Sequence, residues 1–251
     1  MKSFYITLPS GGEGNTTSSF TVHLPYQVDL PGQWEVALVD VIYPTSWLNV
    51  HERNNVVQLC NFVPYGSDGT LTEGCAKEEY TSYTLHDGYY HDIKTLVKHV
   101  NGTVKHFTKD DEHAGKFHIA YNYVNYDGGN KTVHMELHED IADMLGHKGI
   151  YFHDTAKADM YPSLVLQNLY VYTDDLIEPQ IVGDVRAELL CIIPAEERTL
   201  KSAHYTPHHL HYLPVARNNF NSITIHIRDV KGNPIAFNSG HSVVKLHFRR
   251  I

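Results

Sequence analysis

A chain of 251 residues with a 42% hydrophobic share can bury a sizeable core, and all-β barrels and sandwiches of this length often form one domain. The formal net charge of −9, with Arg249-Arg250 as the one cationic cluster, argues against a nucleic-acid binder, which needs a basic face. Cys60, Cys75 and Cys191 form no CxxC pair, no run approaches the ~18 apolar residues of a membrane span, and the opening MKSFYITLPSGG lacks an apolar signal region, so the expected setting is reducing and not secreted.

From the N-terminus the pattern has period two. SFYITLP predicts a short strand, and SGGEGNTTSS after it predicts a loop or mobile arm over residues 9–19. In SFTVHLP, Phe20, Val22 and Leu24 share one face. QWEVALVDVIYP places Trp34, Val36, Leu38 and Ile42 on one face, with Ala37, Val39 and Val41 on the other. A strand apolar on both faces belongs inside a sheet. Further strands are predicted at Asn55–Phe62, Glu79–Leu85, Lys116–Tyr126, Lys131–His138, Leu164–Thr173, Ala187–Ile193, Ser222–Asp229 and Ser242–Arg249.

Two helices interrupt them. In HDIKTLVKHVNG, Ile93, Leu96, Val97 and Val100 line one face, Asp92 is the expected N-cap and Gly102 the stop. In EDIADMLGHKG, Asp140 is the expected N-cap, Gly146 the C′ residue, and Ile141, Met144 and Leu145 the apolar face. Near the C-terminus Asp229-Val-Lys-Gly232 fits a type I turn. Ile223, Ile225 and Ile227 before it, and Val244, Leu246 and Phe248 after it, read as adjacent strands of one amphipathic sheet. The fold class these elements predict is all-β, a sandwich or a barrel, with two short helices inserted.

The chemistry-bearing residues form no convincing site. SAHYTPHHLHYLPV holds His204, His208, His209 and His211, including an H-x-H pair that a strand would project to one side. A cupin-type metal site needs a carboxylate soon after that pair, and Tyr212-Leu-Pro-Val-Ala-Arg217 supplies none. His134, Glu136 and His138 share one face of an alternating segment, but the H-E-x-x-H order is absent. There is no G-x-S-x-G elbow, no phosphate-binding glycine loop, and no local signature that would activate a cysteine. Asp174-Asp175 and Glu196-Glu197 read as loop charges. No catalytic residue, cofactor or metal is therefore expected, and the protein is expected not to be an enzyme.

Several blocks, in order, resemble the penton (minor capsid) proteins of Polinton (Maverick) elements and adintoviruses. They are the opening FYITLPS, NTTSSFTVHLP and GQWEVAL; DGYYHDIKTLVKHVN and DMLGH in the middle; VYTDDLIEPQIVGDVRAELL; and HYLPVARNNFNSITIHIRDVKGNPIAFNSGHSVVKLHFRR at the end. The blocks span most of the chain, though Lys105–Tyr126 and Ala195–Pro207 carry none of the likeness. The resemblance implies a single jelly-roll, an all-β sandwich of two antiparallel sheets with the two short helices inserted and one domain over residues 1–251, and a homopentamer at each icosahedral five-fold vertex. It also implies contact with trimers of a double-jelly-roll major capsid protein, and residence in the virion. Tyr80–Tyr90 and Tyr121–Tyr126 are expected contact loops, and protonation of His209 and His211 near pH 6 would weaken any contact they make. The alternatives are a jelly-roll carbohydrate- or receptor-binding module and a cupin-like metal-dependent enzyme.

Overall fold

The computed structural model describes residues 2–61, 79–105, 116–120, 123–127, 133–152, 156–199 and 201–251. In chain order the strands begin with β1 (Ser3–Pro9), β2 (Ser19–Asp29) and β3 (Trp34–Pro44). There follow β4 (Val56–Asn61), β5 (Glu79–Thr84), α1 (Ile93–Lys105), β6 (Lys116–Ala120), β7 (Tyr123–Asp127), β8 (Val133–Leu137), α2 (Glu139–Met144), β9 (Tyr151–Phe152) and β10 (Ala156–Lys157). The chain ends with β11 (Asn168–Thr173), β12 (Gln180–Val182), β13 (Val185–Ala187), β14 (Leu189–Pro194), β15 (Ser202–Tyr205), β16 (Leu213–Pro214), β17 (Asn219–Arg228) and β18 (Val243–Arg250). These elements divide into two compact units: Met1–Trp47 with Leu166–Ile251, and Leu48–Val165 between them in sequence.

The first unit is a jelly-roll. One antiparallel sheet runs β1-β18-β3-β15, with β16 also on β3, and the other runs β14-β11-β17-β2. Taking the eight long-range strands in chain order as first to eighth, the sheets read 1-8-3-6 and 5-4-7-2. Successive strands thus alternate between sheets except the fourth and fifth, β11 and β14, which pair side by side, the order of a jelly-roll. The two inner faces meet in one core. Phe20, Val36, Leu38, Val41, Ile223, Ile225, Val244, Leu246 and Phe248 are each at most 3% exposed. Phe248 stacks on Phe4 (centroids 5.0 Å, 3°) and meets Phe220 of the facing sheet at 5.8 Å. The buried Tyr43 donates its O–H to the Pro194 carbonyl (3.3 Å), tying β3 to β14. Burial pushes the phenol pKa up.

Four expectations change here. The last two strands are not neighbours: β17 pairs with β11 and β2, β18 with β1 and β3. Both are amphipathic because each turns its apolar row inward from an opposite sheet. The turn does form, since Gly232 N–H donates to Asp229 O (3.1 Å) and Asp229 Oδ1 accepts from Lys231 and Asn233 N–H. It folds the chain back only as far as Pro234 and Ile235 before the crossover. In β3 the register slips between Lys245 and Leu246 of its partner, a bulge at Val39. Beyond it the faces exchange, so Val41 and Tyr43 are fully buried and Ile42 only partly. The strand expected over Leu164–Thr173 starts at Asn168. That over Ala187–Ile193 divides into the end of β13 and β14, with a register shift opposite Val171 and Tyr172.

Residues 10–18, expected as a loop or arm, form a loop tied along the free edge of β2. Asn15 Oδ1 accepts from Thr21 N–H (2.9 Å) and Asn15 Nδ2 donates to Thr21 O (3.1 Å). Thr16 does the same for Ser19, its Oγ1 accepting Ser19 N–H (2.9 Å) and its N–H donating to Ser19 O (2.9 Å). Asn15→Ala is expected to cost about 1–2 kcal/mol, because it orphans both polar groups of Thr21. Chemical denaturation followed by tryptophan fluorescence checks this, since Trp34 and Trp47, the chain's two tryptophans, both lie in this unit.

The second unit holds both helices. Its larger sheet runs β5-β4-β8-β9 and its smaller β10-β7-β6. The helix faces are as expected: Ile93, Leu96, Val97 and Val100 of α1 and Ile141 of α2 are buried with Val57, Met135, Leu137 and Phe152 in one cluster. Asp92 caps α1, accepting from Thr95 N–H at 2.7 Å. Gly102 does not stop the helix. It is absent from the glycines with positive φ, and α1 runs on to Lys105. The N-cap of α2 is His138, whose Nδ1 accepts from Asp140 N–H (3.2 Å), while Asp140 sits in the first turn beside the helix dipole. Gly146 is the C′ residue as expected, with φ +85°.

Candidate assembly surface

The histidine-rich segment is a strand interrupted in the middle. β15 pairs with the end of β3 and β16 with its start, so the segment is fastened to β3 twice and bows outward between. His208, His209, Leu210 and His211 are exposed at that bow. Among the described residues, no group of three or more histidine, cysteine or acidic side chains is placed to hold a metal ion.

What fastens the bow is aromatic and cationic. Tyr212 Oη lies 2.7 Å from His247 Nδ1, and the Arg249 guanidinium covers the Tyr212 ring, 3.5 Å from its centroid. Arg249 also donates through Nε and Nη2 to Glu35 Oε2, both at 2.9 Å. Tyr5 stacks on His247 at 4.4 Å, and Lys245 lies over Tyr5 while reaching Asp40 at 3.9 Å. Period two makes this network: Tyr5, Lys245, His247, Arg249 and Glu35 are the outward residues of three adjacent strands. Desolvation and the Arg249 charge hold the His247 pKa below the usual histidine range, so its neutral ring serves the hydrogen bond.

The other sheet carries a Ser–His–Asp row that the sequence did not reveal. Ser19 Oγ lies 2.9 Å from His226 Nδ1, and His226 Nε2 lies 2.9 Å from Asp174 Oδ2. Ser19 and His226 are direct cross-strand partners, and Asp174 follows β11 on the far side of β17. Ser19's own N–H, which an oxyanion hole would use, is taken by Thr16. The row therefore reads as a hydrogen-bonded ladder, continued by Thr21 Oγ1 and Thr224 Oγ1 at 2.9 Å. Nor is Cys191 activated: burial pushes its thiol pKa up, opposite to what a nucleophile needs.

Other sequence candidates are dispersed. Glu136 and His138 lie on β8 and at the α2 cap, so the segment is a strand. The side chains of His134 and Cys60, together with Cys75 and Tyr121, lie outside the described residues. In the second unit an open cavity of about 450 Å³ is bounded by His86, Tyr90, Lys98 and His99. His99 Nε2 accepts His86 N–H (3.0 Å), Tyr90 stacks on His99 (5.2 Å), and Tyr90 O–H donates to His86 O (3.0 Å). These walls satisfy one another.

No protein-family model and no curated protein matches the chain. Among solved structures, the chain is similar to the mavirus penton protein, whose selenomethionine-labelled crystal form it matches at 12% identity over 100% of both chains, with a TM-score of 0.46.

Buried histidines set an acid limit to stability. His147 is 3% exposed against the edge of Phe152, and burial lowers its pKa, with Asp159 partly opposing. Burial likewise lowers His51, His99 and His247. A histidine with a depressed folded pKa binds its proton more readily when unfolded, so stability falls as pH drops through about 6.5 and below. The thermal midpoint is expected to fall between pH 7.5 and pH 5. His147→Asn is expected to flatten that slope while lowering stability at pH 7.5. An unchanged slope in the variant would remove His147 from the account.

Proposed function

We propose that the chain is a structural capsid protein, a vertex (penton) subunit of which five copies close a ring at each icosahedral five-fold axis. The supporting observation is where the penton-like sequence blocks lie. FTVHLP falls in β2, WEVAL opens β3, ITIHIR ends β17 and VVKLHFRR is β18, so the blocks occupy both sheets of the jelly-roll framework. A jelly-roll alone serves lectins and cupins too. The cupin reading is disfavoured because its histidines lie on an exposed bow outside the sandwich core.

A five-fold ring joins two different patches. The β12–β13 hairpin offers one, with Ile181 82% and Val185 55% exposed. The ring's outer partners are trimers of a double-jelly-roll major capsid protein, and its location is the virion vertex. Native mass spectrometry at pH 7.5 is expected to show a pentamer, alone or on mixing with that capsid protein. A chain that never forms five-fold species under either condition would overturn the proposal.

A further inference from the structure

Strand β1 lies at the edge of its sheet with an unsealed side. Arg250 N–H donates to Lys2 O (3.1 Å) and Ser10 N–H to Ser242 O (2.9 Å), which with the register puts the even-numbered residues of β1 in hydrogen-bonded pairs with β18. The N–H and C=O groups of Ser3, Tyr5 and Thr7 therefore point away from the sheet, and among the described residues no strand or side chain meets them.

The sandwich's other edges are managed. Asn15 and Thr16 cover the outward groups of Ser19 and Thr21 at the start of β2. Only four residues make up β15. On β14 the residues facing outward are the even-numbered ones, because Ala195 N–H donates to Gln167 O (2.9 Å), and Pro194 among them has no N–H to offer. In contrast, Ser3-Phe-Tyr-Ile-Thr-Leu8 has no charge, proline or glycine and is rich in strand-forming residues, the composition that adds strands. Its inward row is unfinished. Phe4 and Ile6 are only partly buried, whereas Leu246 and Phe248 beside them are 0% exposed, and Tyr5 outward is 59% exposed.

We infer that β1 is a strand-addition site for a second copy of this chain, pairing antiparallel with that copy's own β1 about a twofold axis at Tyr5. The register follows from the backbone. Ser3 must face Thr7 and Tyr5 must face Tyr5 for every free donor to meet an acceptor. A shift of one residue points bonded groups at free ones. A shift of two in one direction sets Ser3 against Pro9, which has no N–H, and in the other it carries Thr7 past Ser3, where β1 begins. In the symmetric register Phe4 of each copy lies beside Ile6 of the other, which finishes the inward row, and no like charges are opposed.

The occupant is self-complementary in pattern, charge and hydrogen bonding, as a twofold contact demands. The contact is independent of the vertex proposal. A twofold pair lies outside a five-fold ring and joins subunits that are not ring neighbours.

Analytical ultracentrifugation of the full chain over a concentration series tests it, with Tyr5→Pro as the variant. Proline at 5 removes an outward N–H, and with it the ring stacked on His247, while keeping the pairing with β18; Tyr5→Ala, which loses the ring and keeps the N–H, is the control and is expected to dimerise. The wild type is expected to dimerise, and Tyr5→Pro to weaken the dimer by about 10- to 100-fold. Tyr5→Cys is expected to form a 5–5 disulfide dimer under mild oxidation, located by peptide mass mapping, since directly opposed strand residues lie within disulfide reach. A wild type that stays monomeric, or a dimer unaffected by Tyr5→Pro and lacking the 5–5 cross-link, would overturn the inference. Pentamers that persist in Tyr5→Pro leave the vertex proposal standing, and a dimer without pentamers leaves this one.

Discussion

Replacing Phe248 by alanine is expected to lower the unfolding midpoint of the jelly-roll unit by on the order of 10–20 °C, about 3–5 kcal/mol. Phe248 is where the two sheets meet: fully buried, stacked on Phe4 within its own sheet, and 5.8 Å from Phe220 across the interior. Rings on three strands hold the space open, so it cannot collapse when one ring is removed, and the cavity term adds to the lost burial. Tryptophan fluorescence reads this unit selectively, because Trp34 and Trp47 both belong to it and Trp34 packs edge-on against Phe4 at 5.6 Å. A midpoint shift under about 3 °C would mean that the sheets do not pack through this ring.

Gly146→Ala is the second large effect, roughly 2–5 kcal/mol of destabilisation. The residue sits at φ +85°, where a side chain is strained, and an added Cβ would run into the Met160 carbonyl oxygen, with Pro162 N 3.2 Å away. The glycine has little room to move. Its N–H donates to Asp143 O and its carbonyl accepts from Met160 N–H, both at 2.9 Å. Hydrogen exchange should show loss of protection centred on α2. Gly102→Ala gives the opposite sign. That glycine lies inside α1 with nothing within 4 Å of an added Cβ, so a gain of about 0.5–1 kcal/mol is expected. Equal effects at the two glycines would contradict the backbone argument.

These two sites also show what the sequence could disclose. Alternation finds β1, β2, β17 and β18 because each has one row facing a core, an unbroken apolar run finds β3, and Gly146 announces itself as a helix stop. Alternation does not say which sheet a strand joins, so Ile223–Ile227 and Val244–Phe248 look like neighbours when they face each other across the interior. The bulge at Val39 leaves no mark in a run apolar on both sides, and it exchanges the faces of Val41 and Ile42. β15 and β16 escape notice because they are short and set among Pro207 and Pro214. The Ser19–His226–Asp174 ladder depends on the register of strands far apart in the chain. The bow of His208 to His211, which looks like a ligand cluster in the sequence, is held by its neighbour Tyr212 through His247 and Arg249.

The vertex assignment is tested most directly by assembling particles from this chain and a double-jelly-roll major capsid protein of the same source, then resolving the five-fold axes by electron cryo-microscopy. The account predicts five jelly-rolls at each vertex, with the β14-β11-β17-β2 and β1-β18-β3-β15 sheets recognisable in the density. Closed particles whose vertices contain none of this chain, formed equally well without it, would contradict it.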